Sequence, residues 1–149
     1  MRTALGIEYR GSAYHGWERQ DNANTVQAEL ERALSKVAHH EVRTFCAGRT
    51  DAGVHASGQT VHFDSTADRP LRAWHLGANS HLPKDITVIW AHSVSDAFHA
   101  RFSATARRYQ YVIINRPSPP AILRGQVVWV RGEVDHTRMN SGAKALLGE

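Results

Sequence analysis

The run Gly48-Arg49-Thr50-Asp51-Ala52-Gly53-Val54-His55 separates two stretches that read as β-strands, residues 42–47 and 58–63. Whatever the chain folds into must therefore reverse direction across a turn that carries one carboxylate, one guanidinium and two glycines. Glycines on either side of a lone Asp mark a backbone that needs positive φ or close approach by another group. A turn of this kind holds Asp51 at a strand end, where loops on a rigid scaffold commonly carry function. Two readings stay open on spacing alone. Asp51 bonds its own backbone in a plain surface turn, or it is a presented functional carboxylate.

The surrounding periodicity supplies the scaffold. Arg2–Tyr9 alternates as a strand, with Leu5 and Ile7 on its apolar face. Asn24 or Thr25 caps a helix whose apolar positions Val26, Leu30, Ala33, Leu34 and Val37 form one amphipathic stripe. Pro70, preceded by Asp68, suits the first turn of a second helix carrying Leu71, Trp74 and Ala78. Ile86–Val94 reads as a fourth strand. The order is β-α-β-β-α-β, so the fold class expected is α+β, a ferredoxin-like unit with a mainly antiparallel sheet.

A second unit is expected to begin near residue 104, giving domains 1–103 and 104–149. Arg107, Tyr109, Tyr111 and Ile113 alternate with their neighbours as a strand, and Pro117, Pro119 and Pro120 break it. Gln126 to Arg131 reads as a further strand. Asp135 caps a helix with Met139, Ala143, Leu146 and Leu147, and Gly148 is placed as its C-cap. This β-β-α unit lacks closing strands and reads as unfinished, with an open sheet edge.

Composition narrows the class. Cys46 is the one cysteine, so no intrachain disulfide forms and a reducing compartment fits; in its apolar strand the thiol reads as buried and inert. No apolar run approaches the length of a membrane span, no signal-peptide pattern opens the chain, and the cytoplasm is the expected location. The net charge is +4 with histidine neutral. Of 18 Lys and Arg residues, eight lie beyond residue 100 against three acids. Seven of those eight are arginines, a strip that suits a phosphate backbone as well as it suits a solvated face. The ten histidines show no H-x₃₋₅-H spacing and no second cysteine, so no metal site is expected. His55 is expected to order the motif turn by hydrogen bonding, and Trp17 to anchor a core at a turn rather than to stack on RNA.

The motif residues 48–56 resemble the signature of the tRNA pseudouridine synthase A family. The likeness extends through the whole chain: Ile7-Glu8-Tyr9-Arg10-Gly11 with Tyr14-His15-Gly16-Trp17, Thr25-Val26-Gln27 with Leu30-Glu31-Arg32-Ala33-Leu34, and Phe98-His99-Ala100-Arg101-Phe102-Ser103-Ala104 followed by Arg107-Arg108-Tyr109-Gln110-Tyr111. Two departures stand out: Arg10 where the family usually has Asp, and Glu18 where it usually has Gln. The resemblance implies that Asp51 is the catalytic nucleophile, that Arg49 lies in the cleft and takes part in flipping the base, and that Tyr109 stacks on the flipped uracil and handles the proton lost from C5. It also implies a homodimer acting on positions 38, 39 and 40 of the tRNA anticodon stem-loop. Arg101, Arg107 and Arg108 are candidate phosphate contacts, and Tyr111 is read as structural.

Isomerising uridine to pseudouridine breaks the N1–C1′ bond and rejoins the ribose to C5, with no redox change and no added group. No metal, nucleotide or other cofactor is expected. An ionised carboxylate can start the reaction at C6 or assist at C1′, and a nearby cation favours that ionised form. The resemblance places a more direct cationic partner of the Asp in a second half that follows residue 149. These 149 residues alone are accordingly expected to be inactive. The competing class is a non-catalytic RNA-binding module, since ferredoxin-like units bind RNA on their sheet face. The RRM aromatic signature is missing from this chain, however, and mere binding needs no carboxylate facing phosphates.

Overall fold

The computed structural model describes residues 1–148. The chain divides into two compact units, one spanning Met1–Arg107 and the other running from Arg108.

The first unit is built on a sheet of four strands: β1 (Arg2–Tyr9), β2 (Thr44–Cys46), β3 (Ala56–Asp64) and β4 (Ile86–Val94), in the order β2-β3-β1-β4. Every neighbouring pair is antiparallel. Together with its two helical crossings, this is the expected split β-α-β arrangement. Central β1 pairs on both sides, and Leu5 stands across from Val61 on β3 and Ala91 on β4. Its ladder is interrupted by irregularities between Ile7 and Tyr9 on one side and between Gly6 and Ile7 on the other. Such bulges bend a strand close to where it hands the chain to a site.

Helix α1 (Val26–Ala38) begins where Thr25 accepts a hydrogen bond from the Ala28 amide, and it ends at His39, whose φ of 61° is left-handed. Val26, Leu30, Ala33 and Leu34 are fully buried, so the expected stripe is the packed face. It closes over Leu5, Ile7, Val61, Phe63 and Val88 together with Trp74. Removing each large apolar side chain from water stabilises the unit by about 1.5–3 kcal/mol. Glu31 also lies inward: its carboxylate accepts from the Thr44 amide at 2.8 Å, and Gln27 donates to the Thr44 carbonyl at 2.9 Å. These bonds join the helix to β2, just ahead of the motif turn. Trp17 is buried against Tyr9, with ring centroids 5.9 Å apart, in the expected anchoring place.

The helical segment after Pro70 differs in kind from the expected α-helix. Ala73–Gly77 is π-helical, with the Ala78 amide reaching the Ala73 carbonyl. Trp74 and Ala78 still turn fully inward, Trp74 edge-on to Phe63 at 5.0 Å, while Leu71 stays exposed.

In the second unit, β5 (Ile113–Asn115) and β6 (Val128–Val130) pair in parallel, followed by α2 (His136–Ala143). Three sequence expectations change here. The alternation from Arg107 forms no strand before Ile113, because among the described residues of this unit β6 is the pairing strand and its ladder reaches three residues; an alternating pattern becomes a strand only where its amides and carbonyls are paired. Tyr111 is 77% exposed and packs no core. Helix α2 is capped by Asp135 as expected, with Oδ1 accepting from the Thr137 and Arg138 amides at 2.9 and 3.0 Å. It stops at Ala143 and passes into the 3₁₀ turn Lys144–Leu146. Leu147, not Gly148, follows that turn, and neither Leu146 nor Leu147 finds apolar cover.

Candidate active site

The Asp51 turn is fastened to a second turn, residues 11–17, through the backbone. Trp17 donates its amide to the Thr50 carbonyl at 2.9 Å, and Gly53 donates to the Tyr14 carbonyl at 3.3 Å. The Gly11 amide donates to His55 Nδ1 at 3.0 Å, the ordering bond expected of that histidine. Two glycines make the fit possible. Gly53 has φ of 80°, and Gly16 has φ of 90° with the Thr50 carbonyl 2.8 Å from where a Cβ would lie. Any L side chain at Gly16 would be strained and would collide with backbone. Gly48 does not share the positive φ; its carbonyl accepts from the Gln59 amide group, which pins the start of the motif to β3.

Side chains complete the fastening. The Tyr9 hydroxyl, at the end of β1, lies 2.7 Å from Thr50 Oγ1. Tyr14 donates to Asp85 Oδ1 at 2.6 Å, and burial together with that carboxylate pushes its phenol well above the usual range. The residue next to Asp51 is thereby gripped from both its backbone and its side chain.

Asp51 itself is exposed. Its backbone carbonyl accepts from the Val54 amide at 3.2 Å, but its carboxylate makes no hydrogen bond or ion pair among the described residues. The plain Asx-turn reading therefore fails, because the side chain is presented rather than spent on its own backbone. The adjacent cation, Arg49, is exposed and forms an ion pair with Glu18 at 2.6 Å. Glu18, Arg49 and Asp51 thus alternate in sign across the two turns.

The segment Phe98–Ser103 docks on the same unit. The Ala100 amide donates to Nδ1 of buried His62 at 3.1 Å, and the Ser103 amide donates to the His99 carbonyl at 2.7 Å. The His62 ring stacks on Phe45 at 5.1 Å and meets His99 at 4.6 Å. Burial, reinforced by His99 and Arg2, pushes the His62 pKa down and keeps the ring neutral, the form able to accept at Nδ1. Arg107 donates through Nε to the Ala47 carbonyl at 2.8 Å and through Nη2 to the Arg101 carbonyl at 3.1 Å. It clasps this segment to the residue immediately before the motif. Arg101 is exposed, its guanidinium 5.8 Å from the Phe102 ring centre.

Of the residues singled out from the sequence, Asp51, Arg49, Arg101 and Arg107 thus belong to the first unit. Tyr109 and Arg108 belong to the second, where Tyr109 is 71% exposed on irregular backbone. Cys46 is half-buried, and burial pushes its thiol up, away from the reactive thiolate. Among the described residues no group of three or more His, Cys, Asp or Glu could hold a metal ion, and no helix is long and apolar enough to cross a membrane. Sequence reasoning missed Tyr9, Thr50 and Glu31 as positioning groups.

Comparison with known proteins meets this geometry at the same residues. A family model described as tRNA pseudouridine synthase matches residues 6–103, which contain the motif turn, its companion turn and the Phe98–Ser103 segment. The chain belongs to the tRNA pseudouridine synthase family. Over all 149 residues it is 61% identical to the tRNA pseudouridine synthase A of Shewanella amazonensis, covering 57% of that protein. It is 58% identical to the protein of the same name from Vibrio cholerae and 57% identical to that from Vibrio vulnificus, covering 56% of each. The chain therefore spans a little over half the length of these curated relatives.

Proposed function

We propose that this chain is the nucleophile-bearing part of a tRNA pseudouridine synthase, an isomerase that converts uridine to pseudouridine within tRNA. The observation that carries the reading is Asp51: an exposed, unpaired carboxylate at the tip of a turn over-determined by backbone bonds, in a chain of this family. Asp51 is the nucleophile, attacking C6 of the ring or assisting departure of the base from C1′. The N1–C1′ bond breaks, C1′ rejoins at C5, the C5 proton leaves, and N1 regains one. Nothing is oxidised or reduced, so the bond changes call on a carboxylate and a proton acceptor and on no oxidant or reductant.

Uracil within a stacked stem is out of reach, so the base must be flipped out of the helix. Arg49, beside Asp51, is the group assigned to that step. Tyr109 stacks on the flipped base and takes up the C5 proton. Arg101, Arg107 and Arg108 contact phosphate, Arg107 with the donors left over from its clasp on Ala47 and Arg101. The substrate sites are uridines 38, 39 and 40 of the anticodon stem-loop, and the working assembly is a cytoplasmic homodimer with one tRNA spanning both subunits. Residues 1–103 form the domain carrying the catalytic turn, and 104–149 begin a second α/β domain.

The test is tritium release from tRNA labelled at uridine C5. The full-length enzyme should release tritium, and Asp51→Asn should lower turnover by at least about 1,000-fold while tRNA affinity stays within a few-fold. Turnover above that level in Asp51→Asn would remove Asp51 from the mechanism, and binding without any release by the wild type would favour a non-catalytic RNA-binding module.

A further inference from the structure

Resting on the synthase reading, we propose that Phe102, backed by His99 and flanked by Arg101, is a stacking platform for an unpaired tRNA base close to the target uridine. This base is distinct from the uracil assigned to Tyr109. Phe102 is a large apolar side chain left 78% exposed, yet the segment carrying it is tied down as closely as the Asp51 turn. Ser103 closes the segment on itself: its amide donates to the His99 carbonyl at 2.7 Å, and its Oγ accepts from the His99 amide at 3.0 Å. The Arg101 amide donates to His99 Nδ1 at 3.2 Å. Underneath, the Ala100 amide is seated on buried His62, and Arg2 donates through Nη1 to the Phe98 carbonyl at 2.9 Å. These bonds fix where the exposed ring stands, so a ligand meets a surface that is already ordered.

The neighbouring rings and charges select the ligand. His99 lies 4.4 Å from Phe102, its plane tilted by 32°, and 4.6 Å from His62, which in turn stacks on Phe45. Phe102 is thus the outer tier of a continuous run of rings, and a planar partner extends that run by one tier. The charge beside it is positive. The Arg101 guanidinium lies 5.8 Å from the Phe102 ring centre and has no ion pair among the described residues. An apolar protein surface closing over Phe102 would strip water from that guanidinium without offering a counter-charge. A nucleotide offers the ring a flat base and the guanidinium a phosphate, the pairing by which single strands are held. Arg107 bonds both the Arg101 and the Ala47 carbonyls, and Ala47 is the residue just ahead of the Asp51 motif. A base stacked on Phe102 therefore belongs to a nucleotide close to the uridine at Asp51.

The experiment measures binding of anticodon stem-loop RNA to the full-length protein as wild type, Phe102→Ala, Phe102→Leu and Phe102→Trp. Loss of one stacked base should weaken binding by Phe102→Ala about 5- to 150-fold. Phe102→Leu should bind as weakly as Phe102→Ala, whereas Phe102→Trp keeps a stacking face and should bind like wild type. The salt dependence should be the same in all four, because stacking releases no counterions. The base is then removed from the RNA instead, with stem-loops carrying one abasic nucleotide at each loop position in turn. At one position, the missing base should weaken wild type and leave Phe102→Ala unchanged. Melting temperatures should stay within about 2 °C of wild type, as for an exposed side chain. Wild-type affinity in Phe102→Ala or Phe102→Leu, or a Phe102→Ala deficit that persists with every abasic stem-loop, would overturn the platform. So would a melting temperature lowered by more than about 5 °C in Phe102→Ala, which would show that protein covers the ring. These readouts are of binding and folding, so the synthase reading fails separately, in tritium release by the wild type.

Discussion

Asp51 and Tyr109, the two residues on which the proposed chemistry turns, stand on different ground. Asp51 projects from a unit whose Leu5, Ile7, Leu30, Phe63 and Trp74 are fully buried. Its turn is tied down by the Trp17–Thr50, Gly53–Tyr14 and Tyr9–Thr50 bonds. Tyr109 belongs to a unit whose helix α2 buries no residue, and in which Ile122, Leu146 and Leu147 are largely exposed. The first region meets its own packing requirements. The second carries the sequence signals of strands and a helix but little that removes their apolar faces from water. A rigid presentation of the carboxylate can thus be complete within residues 1–107, whereas the surroundings of Tyr109 call for further apolar partners.

The largest expected effect is on stability, and it should fall on one side of this divide. Leu5→Ala should destabilise the first unit by about 2–5 kcal/mol, read as a shift in its denaturation midpoint. Met139→Ala, on the uncovered helix, should change stability by less than about 0.5 kcal/mol. Similar losses at both positions would mean that α2 is packed after all. Next in size, Tyr109→Phe in the full-length enzyme should reduce turnover by about 100-fold, with affinity retained because the stacking face survives. A fully active Phe variant would leave Tyr109 with a stacking role alone.

A smaller effect tests how Asp51 is held. Tyr9→Phe removes the hydroxyl that meets Thr50 and should cost about 0.5–1.5 kcal/mol of stability, with a drop in kcat and little change in KM. A change in KM alone would place Tyr9 outside the positioning of the turn. The smallest effect is a pH dependence confined to the first unit. Folding lowers the His62 pKa from its ordinary 6.5. The unfolded chain therefore binds more protons near and below that pH, so the stability present above about 6.5 is lost as pH falls through the folded value. Asp64, held low by its bond to Arg2, begins to matter only below about 3.8. Melting temperature should thus fall between about pH 7 and 5, and His62→Gln should flatten that slope. The same slope in both proteins would remove His62 as its source.

How far these features could be read beforehand follows the same divide. The strand Arg2–Tyr9, the stripe of α1 and the strand Ile86–Val94 were legible because local periodicity and burial agree in them. The turn at Asp51 was legible from its glycines, though the positive φ belongs to Gly53 and, across the seam, to Gly16. The Tyr9–Thr50 contact joins residues 41 apart, and no local pattern announces it. Glu31 looks like a solvated helix residue until β2 arrives to bond it. Beyond residue 104 the alternation of Arg107 to Ile114 read as a strand, but pairing partners decide whether such a pattern forms a ladder, and those are not local.

The central proposal is that Asp51, presented by the first unit, is the nucleophile, and that residues in the remaining length of the relatives complete the site. Tritium release from C5-labelled tRNA, compared between this 149-residue chain and a version extended through the downstream length of its relatives, tests that claim directly. Release is expected from the extended protein, and none above the Asp51→Asn background from the shorter chain. Equal release by the two would contradict it, placing the whole catalytic site within these 149 residues.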